Sequence, residues 1–203
     1  HGLGQGGWDL ALLSRALFGL PFALVIYLGH SRKQALWIHR AILLRSVSAV
    51  AFLALLYFIL QNYSPGDAFT LASMRPLWVA GLGMFIGFSK VRFVFWPLAA
   101  TAVVGVSCLE GNQFASGPEF YCIALVLGLL GGASTLAVDF CKNTDAAFLT
   151  LHLTFTMFVV SVFLVCFNGH ISFAAQLLDN KLDLLLYSIA VSYTHLTLPT
   201  KVT

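Results

Sequence analysis

The chain has 203 residues, of which 59% are apolar and 9% charged, and its mean hydropathy is +0.89. A water-soluble globular domain carries about 25% charged residues, so this composition excludes an ordinary soluble domain and is typical of a protein inside a lipid bilayer. The formal net charge of +3 is too small and too dispersed to indicate nucleic acid as a partner.

Six apolar stretches are long enough to cross a bilayer as helices, at about 20 residues per crossing. Their apolar residues are continuous rather than alternating, which favours helices over the strands of a membrane barrel. In chain order, we predict spans at 10–28, 41–60, 68–88, 93–109, 120–138 and 146–167, with a seventh beginning near Leu182. The predicted fold class is all-α, a polytopic transmembrane helical bundle.

The third predicted span carries Arg75 and Pro76 near its middle. Pro has no backbone N–H, so it removes one helical hydrogen bond and frees the carbonyl of Ala72, which predicts a break in this helix. The fifth predicted span contains no charge, and its small residues allow neighbouring helices to approach closely. These small residues are Gly128, Gly131 and Gly132.

Both ends of the chain indicate a piece of a longer protein. No initiator Met is present, and residues 1–7 are Gly-rich and polar, unlike a signal sequence. Residues 192–203 resemble a translated sequencing adapter, so we expect a non-native tail and exclude His195 and Lys201 from functional interpretation. A genuine polar tail is the alternative.

Basic residues are distributed unevenly over the predicted loops. Six Lys and Arg fall in the loops that join spans one to two, three to four and five to six, whereas Lys181 alone falls in the intervening loops. By the positive-inside rule, we expect loops 29–40, 89–92 and 139–145 to be cytoplasmic. The chain is then predicted to be an integral protein of the cell (inner) membrane.

Ionisable side chains inside the spans are the informative signal, because a charge at mid-bilayer costs at least about 2.5 to 3.5 kcal/mol. Arg75 is the strongest case, since it lies beside the break at Pro76, and broken helices bind polar solutes in transporters. Trp78 lies within the same turn. The alternative is that Arg75 pairs with Asp67 or Asp139, or extends to the interface.

Other spans contain weaker candidates. Arg15 lies five residues inside span one, and its side chain could either line a cavity or reach the membrane interface. His152 in span six could carry a proton or contact a substrate, with a structural histidine as the alternative. Aligning 12–15 with 149–152 superposes Arg15 on His152, which hints at an inverted repeat. Arg45, near the cytoplasmic end of span two, is expected to be a topology anchor.

No catalytic, nucleotide-binding or metal-binding motif occurs in the sequence. Gly-x-Ser-x-Gly, His-Glu-x-x-His and the P-loop are absent, and the four cysteines share no Cys-x-x-Cys spacing. We therefore expect no enzymatic activity, no cofactor and no metal, and we interpret the cysteines as small buried apolar residues.

Several segments together resemble an EamA-type member of the drug/metabolite transporter superfamily. They are Arg15 in span one, Leu44-Arg45-Ser-Val, Tyr57, the run from Tyr63 through Arg75-Pro76 to Val79, and Gly105-Val. The similarity covers residues 9–109 well and 120–167 loosely. It implies ten helices in two inverted five-helix repeats, a central cavity and alternating access.

Under this resemblance, residues 1–109 hold helices two to five of the first repeat, and residues 110–191 hold helices six, seven and part of eight. The chain departs from the family at Arg75, because the family commonly has a small or polar residue before this Pro. An Arg there indicates an anionic substrate or an internal ion pair.

The sequence therefore predicts a secondary transporter that moves a small organic metabolite by alternating access. The predicted partners are this substrate, which Arg75 indicates to be an anion, and the lipid bilayer, with a homodimer left open. The alternatives are a non-transporting scaffold or assembly subunit, and a membrane-embedded enzyme, which would need clustered His, Asp or Glu near one interface. The residues predicted to line the path are Arg75, Pro76 and Trp78, followed by Arg15, Tyr57 and His152.

Overall fold

The computed structural model describes residues 7–29, 40–63, 68, 71–87, 96–97, 100–101, 104, 118–141 and 144–170. Five helices are defined within these ranges: α1 (Trp8–Gly29), α2 (Arg40–Asn62), α3 (Arg75–Phe85), α4 (Pro118–Phe140) and α5 (Ala146–Phe167). No residue in the described ranges belongs to a strand, so the predicted all-α class is confirmed for them.

Four of the helices are long and apolar enough to cross a bilayer, namely α1, α2, the Cys122–Phe140 part of α4, and α5. They agree with predicted spans one, two, five and six, and they support an integral membrane protein. The predicted span 93–109 falls largely outside the described residues, and the one from Leu182 falls entirely outside them. The ten-helix architecture stays a prediction.

Residues next to the two ends of α5 explain why the helix begins and ends there. The Asp145 side chain accepts a hydrogen bond from the backbone N–H of Ala147 at 3.0 Å, which caps the first turn. At the other end, Gly169 adopts a left-handed φ of +72°, and the N–H of His170 donates to the carbonyl of Val165 at 3.1 Å. This is a Schellman motif, in which glycine reverses the chain direction after the last turn.

The third predicted span is interrupted at the position of its proline. Residues 71–73 are helical, Met74 forms a turn, and α3 begins at Arg75 with Pro76 in its first turn. The first turn tolerates Pro because its N–H groups have no partner inside the helix. Since α3 has 11 residues, about 16 Å at 1.5 Å per residue, it is too short to cross a bilayer alone.

The chain divides into two compact units. Unit one comprises residues 1–35 and 144–203 and contains α1 and α5, and unit two comprises residues 36–143 and contains α2, α3 and α4. This division into compact units differs from the predicted boundary near residue 109. That boundary separates two internal repeats, and it stays a prediction.

In unit one, α1 and α5 pack antiparallel along their lengths. Asp9 at the start of α1 contacts His170 beyond the end of α5, whereas Tyr27 near the end of α1 has its ring centroid 6.2 Å from that of Phe148 in the first turn of α5. Loops 29–40 and 139–145, both expected on the cytoplasmic side, follow span one and precede span six, and the antiparallel packing agrees with the opposite directions that this implies. The outward faces of both helices are apolar, as expected for contact with lipid.

In unit two, α2 and α3 pack on the glycine-rich face of α4. A Cβ atom on Gly128 would overlap the indole of Trp78, one on Gly131 would lie 3.0 Å from the ring of Phe52, and one on Gly132 would lie 2.9 Å from Leu82. The close approach predicted from these small residues is confirmed. Phe52 is also part of the buried core of unit two, with Ile59, Ala68 and Leu127.

Candidate functional site

Arg75 is held between two helices of unit two. Its guanidinium carbon lies 4.2 Å from the centroid of the Phe52 ring on α2. Its Nε would lie 3.3 Å from a Cβ on Gly131, so the side chain also lies against α4. The absence of a side chain at Gly131 leaves the room that the guanidinium occupies.

The Nε atom of Arg75 is buried and has no hydrogen-bond partner among the described residues. A cation over an aromatic ring gains about 0.5 to 2 kcal/mol, whereas a buried polar group without a partner costs about 1 to 3 kcal/mol. These magnitudes overlap, but the contact with Phe52 supplies no hydrogen bond to the buried Nε. An anion or hydrogen-bond acceptor beside Arg75 would complete its environment.

Asp67 and Asp139 are the carboxylates expected as alternative partners of Arg75. Asp67 lies outside the described residues. Asp139 is exposed and follows Gly131 by eight residues on α4, which corresponds to about 12 Å along the helix axis. Pairing with Asp139 is therefore disfavoured by distance, and pairing with Asp67 stays a prediction.

The segment of α4 beside Arg75 has polar groups as well as glycine. The carbonyl of Gly131 accepts hydrogen bonds from the hydroxyls of Ser134 and Thr135, both at 2.9 Å. Each hydroxyl oxygen keeps lone pairs that can accept a further hydrogen bond. The turn of α4 that follows Gly131 thus carries two hydroxyls within an apolar stretch of the helix.

Pro76 and Trp78 have different surroundings from Arg75. Pro76 is exposed in the first turn of α3. The indole of Trp78 lies over Gly128, and its Cβ lies beside Gly132, so Trp78 packs α3 against α4. The half-buried Trp78 is therefore placed to fix the orientation of the turn that carries Arg75.

The remaining candidates are distributed over both units. Tyr57 is half-buried on α2 in unit two, as is Arg75 on α3. Arg15 on α1 and His152 on α5 are half-buried in unit one, where the His152 ring centroid lies 6.3 Å from that of Phe148. The structure thus brings Tyr57 and Arg75 into one unit, and Arg15 and His152 into the other.

A second polar cluster, which the sequence analysis did not identify, joins the ends of α1 and α5. The carboxylate of Asp9 is fully buried, with 0% of its side chain exposed, whereas 41% of the His170 side chain is exposed. The Nδ1–H of His170 donates to Asp9 Oδ2 at 2.9 Å, and Asn168 Nδ2 donates to the same oxygen at 3.1 Å. The backbone N–H of Leu10 donates to Asp9 Oδ1 at 3.0 Å.

Local sequence explains this cluster. Asp9 lies in the first turn of α1, where the helix dipole favours a negative charge. The Schellman turn at Gly169 directs the chain so that His170 lies over that turn. A Cβ atom on Gly7 would overlap Asp9 and lie 2.9 Å from the His170 ring, so glycine is required there as well.

One sequence signal could have indicated part of the cluster. Asn168-Gly169-His170 follows an apolar run, and this order predicts a helix stop with polar side chains beside it. The partner of His170 could not be predicted, because Asp9 is 161 residues away and the contact depends on how α1 and α5 pack.

Metal binding has no structural support in the described ranges, where no three His, Cys, Asp or Glu residues lie close enough together to hold an ion. Comparison of the chain with protein-family models, curated proteins and solved structures finds no match. The resemblance to EamA-type transporters therefore stays a prediction.

Proposed function

We propose that the protein is a secondary transporter of small organic anions that works by alternating access. The observation that carries this proposal is the buried Nε of Arg75, which has no hydrogen-bond partner among the described residues of a bundle with four membrane-length helices. Intramembrane cations mark substrate or ion pathways when no internal counter-charge satisfies them.

The geometry around the guanidinium favours an anion over a cation or a neutral solute. The guanidinium carbon lies over the Phe52 ring, and the N–H donors of a guanidinium group point outward in its plane. Carboxylates and phosphates accept two parallel hydrogen bonds from such a plane, and charge-assisted bonds are about twice as strong as neutral ones. A small carboxylate or phosphate ester is therefore the substrate class that Arg75 would recognise.

The helix boundary beside Arg75 supports transport rather than static binding. Interrupted helices in membrane transporters place free backbone groups and a local hinge at the solute site. Here the interruption falls at Met74, one residue before Arg75, and Trp78 anchors the following turn on α4. The proposal includes the ten-helix inverted repeat, with Pro76, Tyr57, Arg15 and His152 as further residues along the path.

The experiment is counterflow in liposomes reconstituted with the purified protein. The liposomes are loaded in turn with unlabelled glutamate, malate or phosphoenolpyruvate, and uptake of the same radiolabelled anion is followed. We expect uptake of at least one anion, loss of that uptake in Arg75→Gln and partial activity in Arg75→Lys. Arg40→Gln is the matched control, because Arg40 is an exposed arginine at the first residue of α2.

Two results would overturn the proposal. One is uptake at the wild-type rate in Arg75→Gln, because the buried guanidinium of Arg75 would then play no part in binding the solute. The other is the absence of counterflow for all three anions in protein whose cooperative thermal transition shows that it is folded. That second result would favour the scaffold alternative.

A further inference from the structure

We propose that Arg45 forms a second binding site for the transported anion, between the Arg75 site and the end of unit two that the loop charges predict to be cytoplasmic. The proposal rests on the proposed transport function and deepens it. It gives Arg45 a role beyond that of the topology anchor expected from its position in the sequence.

The guanidinium of Arg75 lies near the middle of two membrane-length helices. Phe52, which it contacts, is the thirteenth of the 23 residues of α2, and Gly131 is the fourteenth of the 23 residues of α4. The ends of both helices are therefore about 13 to 20 Å away along their axes. An anion bound at Arg75 has to cross this distance to leave, and a charge inside a bilayer is costly without polar partners.

Arg45 lies on the face of α2 that carries Phe52. It precedes Phe52 by seven residues, which is two helical turns and about 10 Å along the axis. Arg45 is half-buried, whereas its neighbours Leu44 and Val47 are exposed. Arg45 is therefore placed on the packed side of α2 and not on the side that faces lipid.

The end of α4 shows where the charge of Arg45 acts. Cys141 directly follows α4 and is buried; burial raises the pKa of its thiol, and the positive charge of Arg45 opposes this rise. Arg45 is therefore close to the end of α4. Gly131 precedes Cys141 by ten residues, about 15 Å along the axis. Because one small anion cannot span this distance, Arg45 would bind the anion at a site separate from Arg75.

Polar side chains occur between the two arginines along the helix axes. On α2, the buried Ser48 follows Arg45 by three residues, and its hydroxyl donates to a backbone carbonyl at 2.6 Å. On α4, Ser134 and Thr135 follow Gly131 by three and four residues. A hydroxyl can rotate its O–H from a backbone carbonyl to a ligand. These hydroxyls are therefore available to an anion that moves from Arg75 toward Arg45.

The opposite half of the contact between α2 and α4 is apolar. Ile59 follows Phe52 by seven residues, Leu127 precedes Gly131 by four, and both are fully buried in the core of unit two. The partly buried side chains packed against this core include Leu55, Leu56 and Ile123. Within the described residues, this helix contact therefore favours passage of an anion toward Arg45 over passage toward the other end.

The first test is the concentration dependence of counterflow, with equal anion concentrations on both sides so that protein orientation does not matter. The probe is whichever of glutamate, malate or phosphoenolpyruvate the wild type exchanges. For Arg45→Gln, we expect the half-saturating concentration to rise about tenfold at a similar maximal rate, the effect of losing one charge-assisted hydrogen bond. Arg45→Lys keeps the charge and should stay closer to wild type.

Arg40→Gln is the matched control, because Arg40 is an exposed arginine at the first residue of the same helix. We expect it to leave the half-saturating concentration unchanged. An arginine that only anchors the topology would behave like Arg40 in this measurement.

The second test detects the anion beside Arg45. In a variant with Cys141 as its single cysteine, an anion at Arg45 would counteract the charge that lowers the thiol pKa. The rate of reaction with N-ethylmaleimide at fixed pH should therefore fall as the anion concentration rises. Sodium chloride at the same ionic strength should have a smaller effect, and Arg45→Gln should abolish the dependence on the anion.

Two results would overturn the second site and leave the transport proposal standing. One is counterflow in which Arg45→Gln has the same half-saturating concentration as Arg40→Gln. The other is a single-cysteine variant that exchanges the anion but whose Cys141 reacts at a rate independent of it. The latter measurement needs no change at Arg45, so it applies even if Arg45→Gln fails to fold. The absence of any counterflow would instead overturn the transport proposal.

Discussion

The carboxylate of Asp9 and the imidazole of His170 lie 2.9 Å apart, although 161 residues separate them in the chain. Because Asp9 is fully buried, its charge-assisted hydrogen bond to His170 contributes about 1.5 to 3 kcal/mol, and either substitution weakens it. We expect Asp9→Asn and His170→Gln to lower the thermal transition in detergent, and the double variant to lower it by less than the sum.

The double-mutant cycle isolates this bond from the other contacts of the two residues. Coupled neighbours show interaction energies of about 0.5 to 3 kcal/mol, whereas independent sites add. Additive effects of Asp9→Asn and His170→Gln would show that the contact contributes nothing to the packing of α1 against α5.

The second prediction concerns the turn that presents His170. Gly169 has φ of +72°, a conformation that costs an alanine about 1 to 2 kcal/mol. We expect Gly169→Ala to lower the thermal transition and to weaken the Asp9–His170 bond, since the chain then leaves α5 in a different direction. Thermal unfolding followed by tryptophan fluorescence measures the first effect.

Gly29→Ala is the matched control for this prediction. Gly29 is the last residue of α1, a methyl group added there would have no atom of the described residues within 4 Å, and its φ is not left-handed. Alanine is favoured over glycine within helices by about 1 kcal/mol, so Gly29→Ala should leave the transition unchanged or raise it. If Gly169→Ala behaved like Gly29→Ala, backbone conformation at Gly169 would not limit stability.

The third prediction concerns the contact between Trp78 and α4. A Cβ atom on Gly128 would overlap the indole of Trp78, so Gly128→Ala must displace the ring or separate α3 from α4. Overpacking of this kind costs about 1 to 3 kcal/mol. We expect a lower thermal transition, and partial recovery when Trp78→Leu is added because the smaller side chain leaves room for the methyl group.

Gly81→Ala is the control, because Gly81 lies on α3 and a methyl group added there would have no atom of the described residues within 4 Å. Gly81→Ala should not lower the transition. A fall of the same size in both glycine variants would assign the effect to glycine itself and not to the contact of Gly128 with Trp78.

The elements of the fold could be predicted from the sequence because each depends on local composition. The apolar runs predict α1, α2, α4 and α5 to within two residues at every end, and Pro76 predicts the interruption before α3. The glycines of α4 predict a close helix contact, but not that Trp78 and Phe52 fill it. Which side chains occupy a small-residue face depends on the rotation and offset of neighbouring helices, and one sequence does not specify these.

The two polar sites illustrate the same limit. Arg75 is conspicuous in the sequence because a charge inside an apolar span is costly wherever it lies. Asp9 and His170 are inconspicuous, because each is an ordinary polar residue near the end of a span. Their significance comes from burial and mutual contact, which arise only when α1 and α5 pack antiparallel.

The fourth prediction tests the orientation inferred from the loop charges. In a variant without native cysteines, Gly29→Cys at the end of α1 should react with a membrane-impermeant maleimide only from the cytoplasmic side. Gln61→Cys, at the opposite end of α2, should react only from outside. Labelling of intact cells and of inverted vesicles measures both, and the reverse pattern would invert the topology.

The fifth prediction concerns Cys141, which follows α4 directly. Burial raises the pKa of its thiol, and the positive charge of Arg45 acts in the opposite direction. Because the thiolate is the reactive form, a variant with Cys141 as its single cysteine should react slowly with N-ethylmaleimide at neutral pH. The reaction rate should increase with pH. The midpoint of this increase should lie at a higher pH in the folded protein than in the same protein unfolded in detergent.

The pH dependence distinguishes this electrostatic effect from simple steric protection of Cys141. Restricted access slows the reaction equally at every pH, whereas a raised pKa moves the midpoint of the rate profile. Arg45→Gln removes the charge that lowers the thiol pKa, so the midpoint should move further upward, and Arg45→Lys should retain it. If Arg45→Gln moved the midpoint downward or left it unchanged, the charge of Arg45 would not act on Cys141, and the packing of α2 against the end of α4 would need revision.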